Sequence, residues 1–168
     1  MSDSDRAAFH QAYRRTIGRF ATGVTVVLAE RDGDVRGMTA SAVTSVSLEP
    51  TLLLFCPAKR SRIAEILDVG TSFTVNVLGA DQTELSNAFA RPDAEIDADA
   101  HFRAWPEAGS APRLQGTIAA LGCRVHARHD GGDHWIVVGE VVALDADGEG
   151  PDPLLYFDGA YRRMHATD

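Results

Sequence analysis

GMTASAVTSVSLEPTLLLFCPAKRSR, residues 37–62, alternates through its first half. Met38, Ala40, Ala42, Val46 and Leu48 are apolar or small, Thr39, Ser41, Ser45 and Ser47 carry hydroxyls, and only Val43 and Thr44 break the pattern. A period of two belongs to a strand, whose successive side chains point to opposite faces. One face of such a strand offers a row of hydroxyls while the other packs a core. A second apolar run covers residues 52–56, and Lys59, Arg60, Ser61 and Arg62 then bring three cations and a hydroxyl together. Hydroxyls and cations suit a phosphate, held by charge-assisted hydrogen bonds. An antiparallel sheet with a Ser/Thr solvent face and a basic turn has the same pattern; the stretch alone does not separate the two.

The chain has 168 residues, the size of one domain, and 45% of them are hydrophobic, enough for a core and too many for a disordered chain. The net charge of −8 argues against a nucleic-acid surface, which needs a clustered basic patch. Acid is concentrated at Asp93, Glu95, Asp97 and Asp99, and again at Asp145, Asp147, Glu149 and Asp152, runs that read as solvated loops. An anionic ligand must therefore be drawn by the cations at 59–62 against the field of the whole molecule. Arginine supplies 15 of the 16 basic residues, so any lysine chemistry belongs to Lys59. Cys56 and Cys123 lie in apolar, strand-like runs and are expected to be reduced and buried. No apolar leader precedes a cleavage site and no run approaches 18 apolar residues, so a soluble cytoplasmic protein, with no membrane partner, is expected.

Outward from residues 37–62, Phe9, Tyr13, Ile17 and Phe20 form one stripe at helical spacing, predicting a helix over residues 5–20 that packs on a sheet or at a subunit contact. Residues 24–31 are a β-branched strand, Asp32-Gly33-Asp34 a turn, and Val35 the start of a partner strand. Ser61 can cap a short helix over 61–67, whose first turn would add backbone donors to an anion site. Residues 72–78 read as a strand, and 81–90 as a helix with Asp81 as cap and an apolar stripe at Leu85, Ala88 and Phe89. Residues 91–112 are loop-like, with three prolines. Residues 116–128 and 135–144 are long strands around a hairpin signal at 129–134. A short strand at 153–157 and a turn at Asp158-Gly159 lead to Tyr161-Arg162. Many strands and only three helices leave too few crossovers for a parallel sheet. The fold class is mostly β: an antiparallel sheet closed as a barrel, with helices outside it.

GxGxxG, P-loop, HExxH, CxxC and GxSxG motifs are all missing, so any nucleotide is not held by a Rossmann or Walker loop. His134 stands at the mouth of a hairpin and admits three readings: an imidazole facing a nucleotide, a metal ligand with His129 and His126, or a structural residue beside a turn ordered by Asp133. Metal is the least favoured, because His126 and His129 fall on opposite strand faces; no metal is expected. Asn76, in a Val-Asn-Val strand, needs a hydrogen-bond partner from backbone or ligand.

In order along the chain stand FATGVTVV (20–27), GMTA (37–40), TSVSLEP (44–50), Lys59 with Ser61-Arg62, FTVNVL (73–78), QTELSNAFA (82–90), GDH-x4-GEV (132–141) and YR (161–162). Each is weak alone, but the ordered set resembles the flavin reductase family, which includes the small reductase components of two-component, flavin-dependent monooxygenases. The resemblance implies a single domain over residues 1–168 with an antiparallel six-stranded Greek-key split barrel and flanking helices, assembled as a homodimer. It implies reduction of FMN or FAD by NADH or NADPH, with reduced flavin passed to a partner monooxygenase. By position, Thr39, Ala40, Ser41 and Ala42 would line the flavin, and Ser45, Val46 and Ser47 would meet its ring or ribityl chain. Lys59, Ser61 and Arg62 would hold the phosphate, and Phe89 would pack near the ring. His134, as the catalytic candidate, and Tyr161 would lie on the nicotinamide side. Ser41-Ala42 departs from the Asn-Ser often found there, removing one amide and one hydroxyl. A flavin-binding oxidase and a non-catalytic flavin-binding protein of the same fold are the alternatives.

Overall fold

The computed structural model describes residues 1–91, 97–146 and 151–164. Their elements are, in chain order, α1 (Asp3–Ile17), β1 (Thr22–Gly23), β2 (Thr25–Arg31), β3 (Asp34–Ala40), β4 (Val43–Leu48), β5 (Thr51–Phe55), a 3-10 turn (Arg62–Glu65), β6 (Ser72–Val77), α2 (Thr83–Phe89), α3 (Ala98–His101), β7 (Phe102–Arg103), a second 3-10 turn (Pro106–Ala108), β8 (Arg113–Leu114), β9 (Ala119–Gly131), β10 (His134–Ala146), β11 (Leu155–Phe157) and β12 (Ala160–Arg162). Seven strands form the main antiparallel sheet, in the order β3-β2-β6-β9-β10-β5-β4.

The turns follow from backbone chemistry. Asp32 and Gly33 hold φ of 55° and 83°, and Asp158 and Gly159 hold 52° and 75°. Two successive residues at positive φ make a type I′ turn, whose twist matches a two-residue hairpin. They join β2 to β3 and β11 to β12.

β3 and β4 are consecutive in the chain yet stand at opposite edges of the sheet, joined only by Ser41-Ala42. Laid flat, seven strands at about 4.8 Å spacing would hold these edges ~29 Å apart. Three residues of chain, from Ala40 to Val43, reach at most about 11 Å. The sheet must therefore curl until its edges approach at this corner. The expected single strand with a row of hydroxyls is thus corrected: Thr39 lies on β3, Ser41 at the corner, and Ser45 and Ser47 on β4. The break in alternation at Val43 and Thr44 marks the start of the new strand. The main sheet also has seven strands where a six-stranded barrel was expected.

The concave face of the curl holds a core of Val27, Ala29, Phe55, Phe73, Val75, Cys123 and Val137, plugged by Ile63, Ile66 and Leu67. Phe55 and Phe73 lie 5.2 Å apart, and Phe73 lies so close to Gly139 that a β-carbon there would stand 2.3 Å from its ring. The outer face of β2, through Val26 and Leu28, packs with Phe89 of α2, Leu114 and Leu154. Burial pushes the Cys123 thiol up to about 12, and raises Cys56 as well, so both are protonated thiols at neutral pH.

Two helices differ from their sequence pattern. Ser61 donates to the Ala58 carbonyl (2.7 Å) instead of capping, and one 3-10 turn stands where a helix over 61–67 was expected. α2 starts without a side-chain cap, because Gln82 turns back to accept from the Gly79 N–H (2.9 Å). α1 is closed by Ser2 and Asp5, a reciprocal capping box. It buries no residue: Phe9, Tyr13, Ile17 and Phe20 are 51–72% exposed, so its stripe does not pack on this chain's sheet.

Asn76, fully buried, finds its partners in two backbone groups and one threonine hydroxyl. Its amide donates to the Val26 carbonyl (3.1 Å) and to Thr74 Oγ1 (3.0 Å), and its Oδ1 accepts from the Leu114 N–H (2.9 Å). Thr74 in turn donates to the Pro112 carbonyl (2.7 Å). These bonds pin the end of the long connection, at Pro112 and Leu114, to the sheet. Asn76→Ala strands the Leu114 N–H, and urea unfolding is expected to lose about 2–3 kcal/mol; a loss below ~0.5 kcal/mol would show that the connection does not depend on it.

Candidate functional site

Arg31 and Asp34 flank the two-residue β2–β3 turn and close it with the hydrogen bond of a β-turn. Antiparallel pairing alternates from there, so Ala29 with Arg36, Val27 with Met38 and Thr25 with Ala40 are the bonded pairs. The backbone N–H and C=O groups of Val35, Gly37 and Thr39 then point away from β2. No described strand pairs with β3 on that side. A free edge of donors and acceptors seeks a partner.

A cleft of about 770 Å³ runs along this edge, a size within the range of ligand sites. One wall is the segment that carries Ala58, Arg60, Ser61 and Arg62, and the other is the C-terminal end of α2 with Phe89 and Arg91; Tyr156 and Tyr161 also border the cleft. Gly37 lets the walls meet the strand, since a β-carbon there would stand 2.6 Å from the Phe89 ring.

Three hydrogen bonds lash α2 in place. Thr39 Oγ1 donates to the Ser86 carbonyl (2.6 Å). The Tyr161 hydroxyl donates to Asn87 Oδ1 (3.0 Å), so its oxygen accepts from Ser86 Oγ (2.9 Å). Ser86 is fully buried, and Tyr161 supplies the partner that its hydroxyl needs. Tyr161 also meets Tyr156 edge to face at 5.5 Å.

Of the residues picked out from sequence, the structure gathers Thr39, Ser41, Ser61, Arg62, Phe89 and Tyr161 around the cleft. Ala40 is buried in the concave core, and its carbonyl accepts from Thr25 Oγ1 (2.7 Å). Ala42 is exposed at the corner, while Ser45, Val46 and Ser47 stand on β4 and do not border this cleft. Lys59 turns to Asp130, with Nζ–Oδ2 at 2.5 Å, and lies over the Trp135 ring at 4.6 Å. This pairing and the Gly132 N–H hold the Asp130 carboxyl below its ordinary range. His134 pairs beside Ala58, which does border the cleft, but its Nδ1 is held by Asp133 Oδ1 at 2.7 Å. That bond, followed by the imidazole's charge, lowers the Asp133 carboxyl.

Sequence reasoning passed over Gly37 and Arg91, whereas Arg60, counted there among the cations of residues 59–62, borders the cleft as well. Gly37 was visible inside GMTA, but its neighbour Phe89 is 52 positions away. Arg36 also borders the cleft, with its charge taken up by Asp34 (2.7 Å) and Glu65 (2.5 Å). Both acids hold the guanidinium firmly charged, Asp34 most strongly. Among the described residues, no group of three or more His, Cys, Asp or Glu side chains is placed to hold a metal.

Residues 17–165 match the family described as "Flavin reductase like domain". The chain belongs to this family. It is 40% identical to the reductase component of 4-hydroxyphenylacetate 3-monooxygenase from Thermus thermophilus, over 92% of this chain and 96% of that protein. It is 42% identical to the FMN reductase (NADH) SmoA of Agrobacterium fabrum, over 92% and 86%. Among solved structures it is similar to the Streptomyces globisporus NADH:FAD oxidoreductase SgcE6 in complex with NAD and FAD fragments, with a TM-score of 0.84 and 33% identity over 98% of this chain and 96% of that one. The mostly β architecture with antiparallel sheets is the fold of this flavin reductase family.

The lashing of α2 is open to test. Tyr161→Phe keeps the ring beside Tyr156 but leaves the Ser86 hydroxyl without its acceptor. It is expected to cost about 1–2 kcal/mol in urea unfolding. Adding Ser86→Ala should then cost much less than it does alone; full additivity of the two substitutions would show that the hydroxyls do not share a bond.

Proposed function

We propose that this chain is an NAD(P)H:flavin oxidoreductase that reduces FMN or FAD and supplies the reduced flavin to a partner flavin-dependent monooxygenase. The observation that carries the reading is the free edge of β3, lying in a cleft between an arginine-bearing wall and an aromatic one. The site fits a flavin on chemical grounds. The rim of its ring carries donors and acceptors, which the outward N–H and C=O groups of Val35, Gly37 and Thr39 can meet. Phe89 offers an apolar surface, and the Arg62 guanidinium suits a phosphate, which Ser61 would meet by turning its hydroxyl from the Ala58 carbonyl that it bonds here.

Bound there, the flavin ring would accept a hydride that the nicotinamide supplies. The chain's own part is to orient. β3 fixes the ring's rim, α2 is held by Thr39 and Tyr161, and the walls keep the two partners within reach of each other, which lowers the barrier by positioning. Outward N–H groups would stabilise charge growing on the reduced ring. No side chain is needed as an acid or base. His134, beside the wall at Ala58, would meet the nicotinamide side of the site. Ala42, Ser45, Val46 and Ser47 would extend the lining past the corner, and Lys59 would reach the phosphate by exchanging its Asp130 partner for it.

We read the curled sheet as a split barrel and residues 1–168 as one domain. The bare stripe of α1 supports a homodimer: a helix of 15 residues is marginal in water unless an apolar face is covered, and a second copy would cover it. No helix among the described residues is long and apolar enough to cross a membrane, and a cytoplasmic site of action fits an NAD(P)H-consuming enzyme.

Loss of absorbance at 340 nm in the presence of catalytic protein and excess FMN or FAD tests the activity, and comparing NADH with NADPH sets the reductant. Protein that binds flavin but does not turn over free flavin would be an oxidase or a flavin carrier instead. Arg62→Ala should weaken FMN at least tenfold more than riboflavin, as expected for loss of a charge-assisted bond; equal losses would remove it from the phosphate site. His134→Ala should raise the KM for the nicotinamide nucleotide more than the Kd for flavin, and the reverse pattern would overturn its assignment. Light scattering should give twice the chain mass, with Phe9→Ser and Tyr13→Ser together shifting it to one.

A further inference from the structure

We infer that Arg91 is a binding residue for the pyrophosphate of the nicotinamide dinucleotide, on the wall of the cleft opposite Arg62. The inference rests on the proposed reductase activity. Four arginines border the cleft: Arg36, Arg60, Arg62 and Arg91. Arg36 is neutralised by Asp34 and Glu65. Arg60 is exposed, makes no ion pair among the described residues, and stands on the same wall as Arg62, so the two serve one side of the cleft together. Arg62 and Arg91 have no carboxylate partner among the described residues, and both side chains are exposed. They sit on different walls: Arg62 opens the 3-10 turn tied to β3 by the bond from Arg36 to the Arg62 carbonyl (2.8 Å), whereas Arg91 follows Ala90, the C-cap of α2, which Phe89 anchors against Gly37.

A single flavin phosphate needs one of these guanidinium groups. A reductase must hold two anionic ligands at once, with their rings face to face and the remainder of each leaving the stack. In a chain of net charge −8, a dinucleotide bearing a pyrophosphate meets an unfavourable field unless a local cation offsets it. Arginine, with a planar fork of donors, matches two adjacent phosphate oxygens better than any other side chain. The plain alternative is a surface arginine made favourable by the negative end of α2; that role involves no ligand.

Arg91→Gln in the full chain separates the two. With FMN as the flavin, only the reductant carries a pyrophosphate. The NAD+ dissociation constant, from calorimetric titration of FMN-saturated protein, is expected to rise about tenfold or more. The ratio of kcat/KM for NADH to that for 1-benzyl-1,4-dihydronicotinamide, a donor without phosphate, should fall by a similar factor, and FMN affinity should stay within about twofold. Arg91→Lys, which keeps the charge and loses the fork, should fall between. An NAD+ affinity unchanged in Arg91→Gln overturns the inference, as does an equal loss of FMN affinity. Loss of FAD affinity with NAD+ unaffected would assign the pyrophosphate to the flavin and overturn it too. Wild-type protein that oxidises no NADH with any flavin would instead sink the reductase reading itself.

Discussion

Two residues, Ser41 and Ala42, join strands that lie at opposite edges of a seven-stranded sheet. That connection is too short for a flat sheet, and every later feature follows from the curl it imposes. The concave face becomes a core in which Phe55 and Phe73 meet. The outer face of β2 is left for α2 and for Leu154, which pack on Val26 and Leu28. The edge of β3 is left open beside the corner. Unpaired edges usually invite association with another chain. Here the 58–62 segment and the end of α2 flank the edge, so its N–H and C=O groups face a cleft in place of another strand. The cleft is thus a by-product of the same geometry that forms the core.

Much of this was written locally. Asp32-Gly33 and Asp158-Gly159 demand positive φ, and the turns stand where the sequence puts them. The stumble in alternation at Val43 and Thr44 was visible, but alternation carries no information about which edge a strand joins. It therefore read as a blemish in one strand and not as a corner between two. Asn76 announced a need for partners; that they are Val26 and Leu114, 50 and 38 positions away, depends on strand order. Lys59 shows the limit most clearly. Its company in sequence, Arg60-Ser61-Arg62, suggests one cationic cluster, yet its nearest carboxylate is Asp130, 71 positions on. Charge adjacency along the chain ranks below charge proximity in space, and only the fold supplies the second. The helix over 61–67 shortened to one turn because Ser61 satisfied the Ala58 carbonyl instead of a helix N–H.

The polar groups around the cleft divide into two sets. Thr39, Ser86, Tyr161, Asn87 and Arg36 are already satisfied within the protein, and their hydrogen bonds fix where α2 and the 3-10 turn stand. The remaining set, the outward backbone of β3 with the side chains of Arg60, Arg62 and Arg91, has no partner among the described residues. A site that has to assemble its own donors when a ligand arrives would pay for ordering them; here the architecture has ordered them beforehand.

That division fits a reaction whose reactive atoms belong to small molecules. Among the described residues, no acid borders the cleft, and the shifted carboxyls lie outside its lining: Asp5 on α1, Glu30 beside the β2–β3 turn, and Asp130 and Asp133 at the hairpin tip with Lys59 and His134 as partners. Catalysis by positioning asks little of side-chain titration and much of rigidity: a displacement of about 1 Å between reacting partners is enough to cost two orders of magnitude in rate. Rigidity is what the structure provides at this point. Gly37 admits Phe89 to within contact of the strand, Tyr161 completes the hydrogen bonding of a serine that would otherwise be buried alone, and both act on the same helix end. Substitutions at Gly37 and Tyr161 therefore act on the geometry of one wall, while those at Arg62 and Arg91 act on charge; the two kinds of effect come from different parts of the same cleft and need not move together.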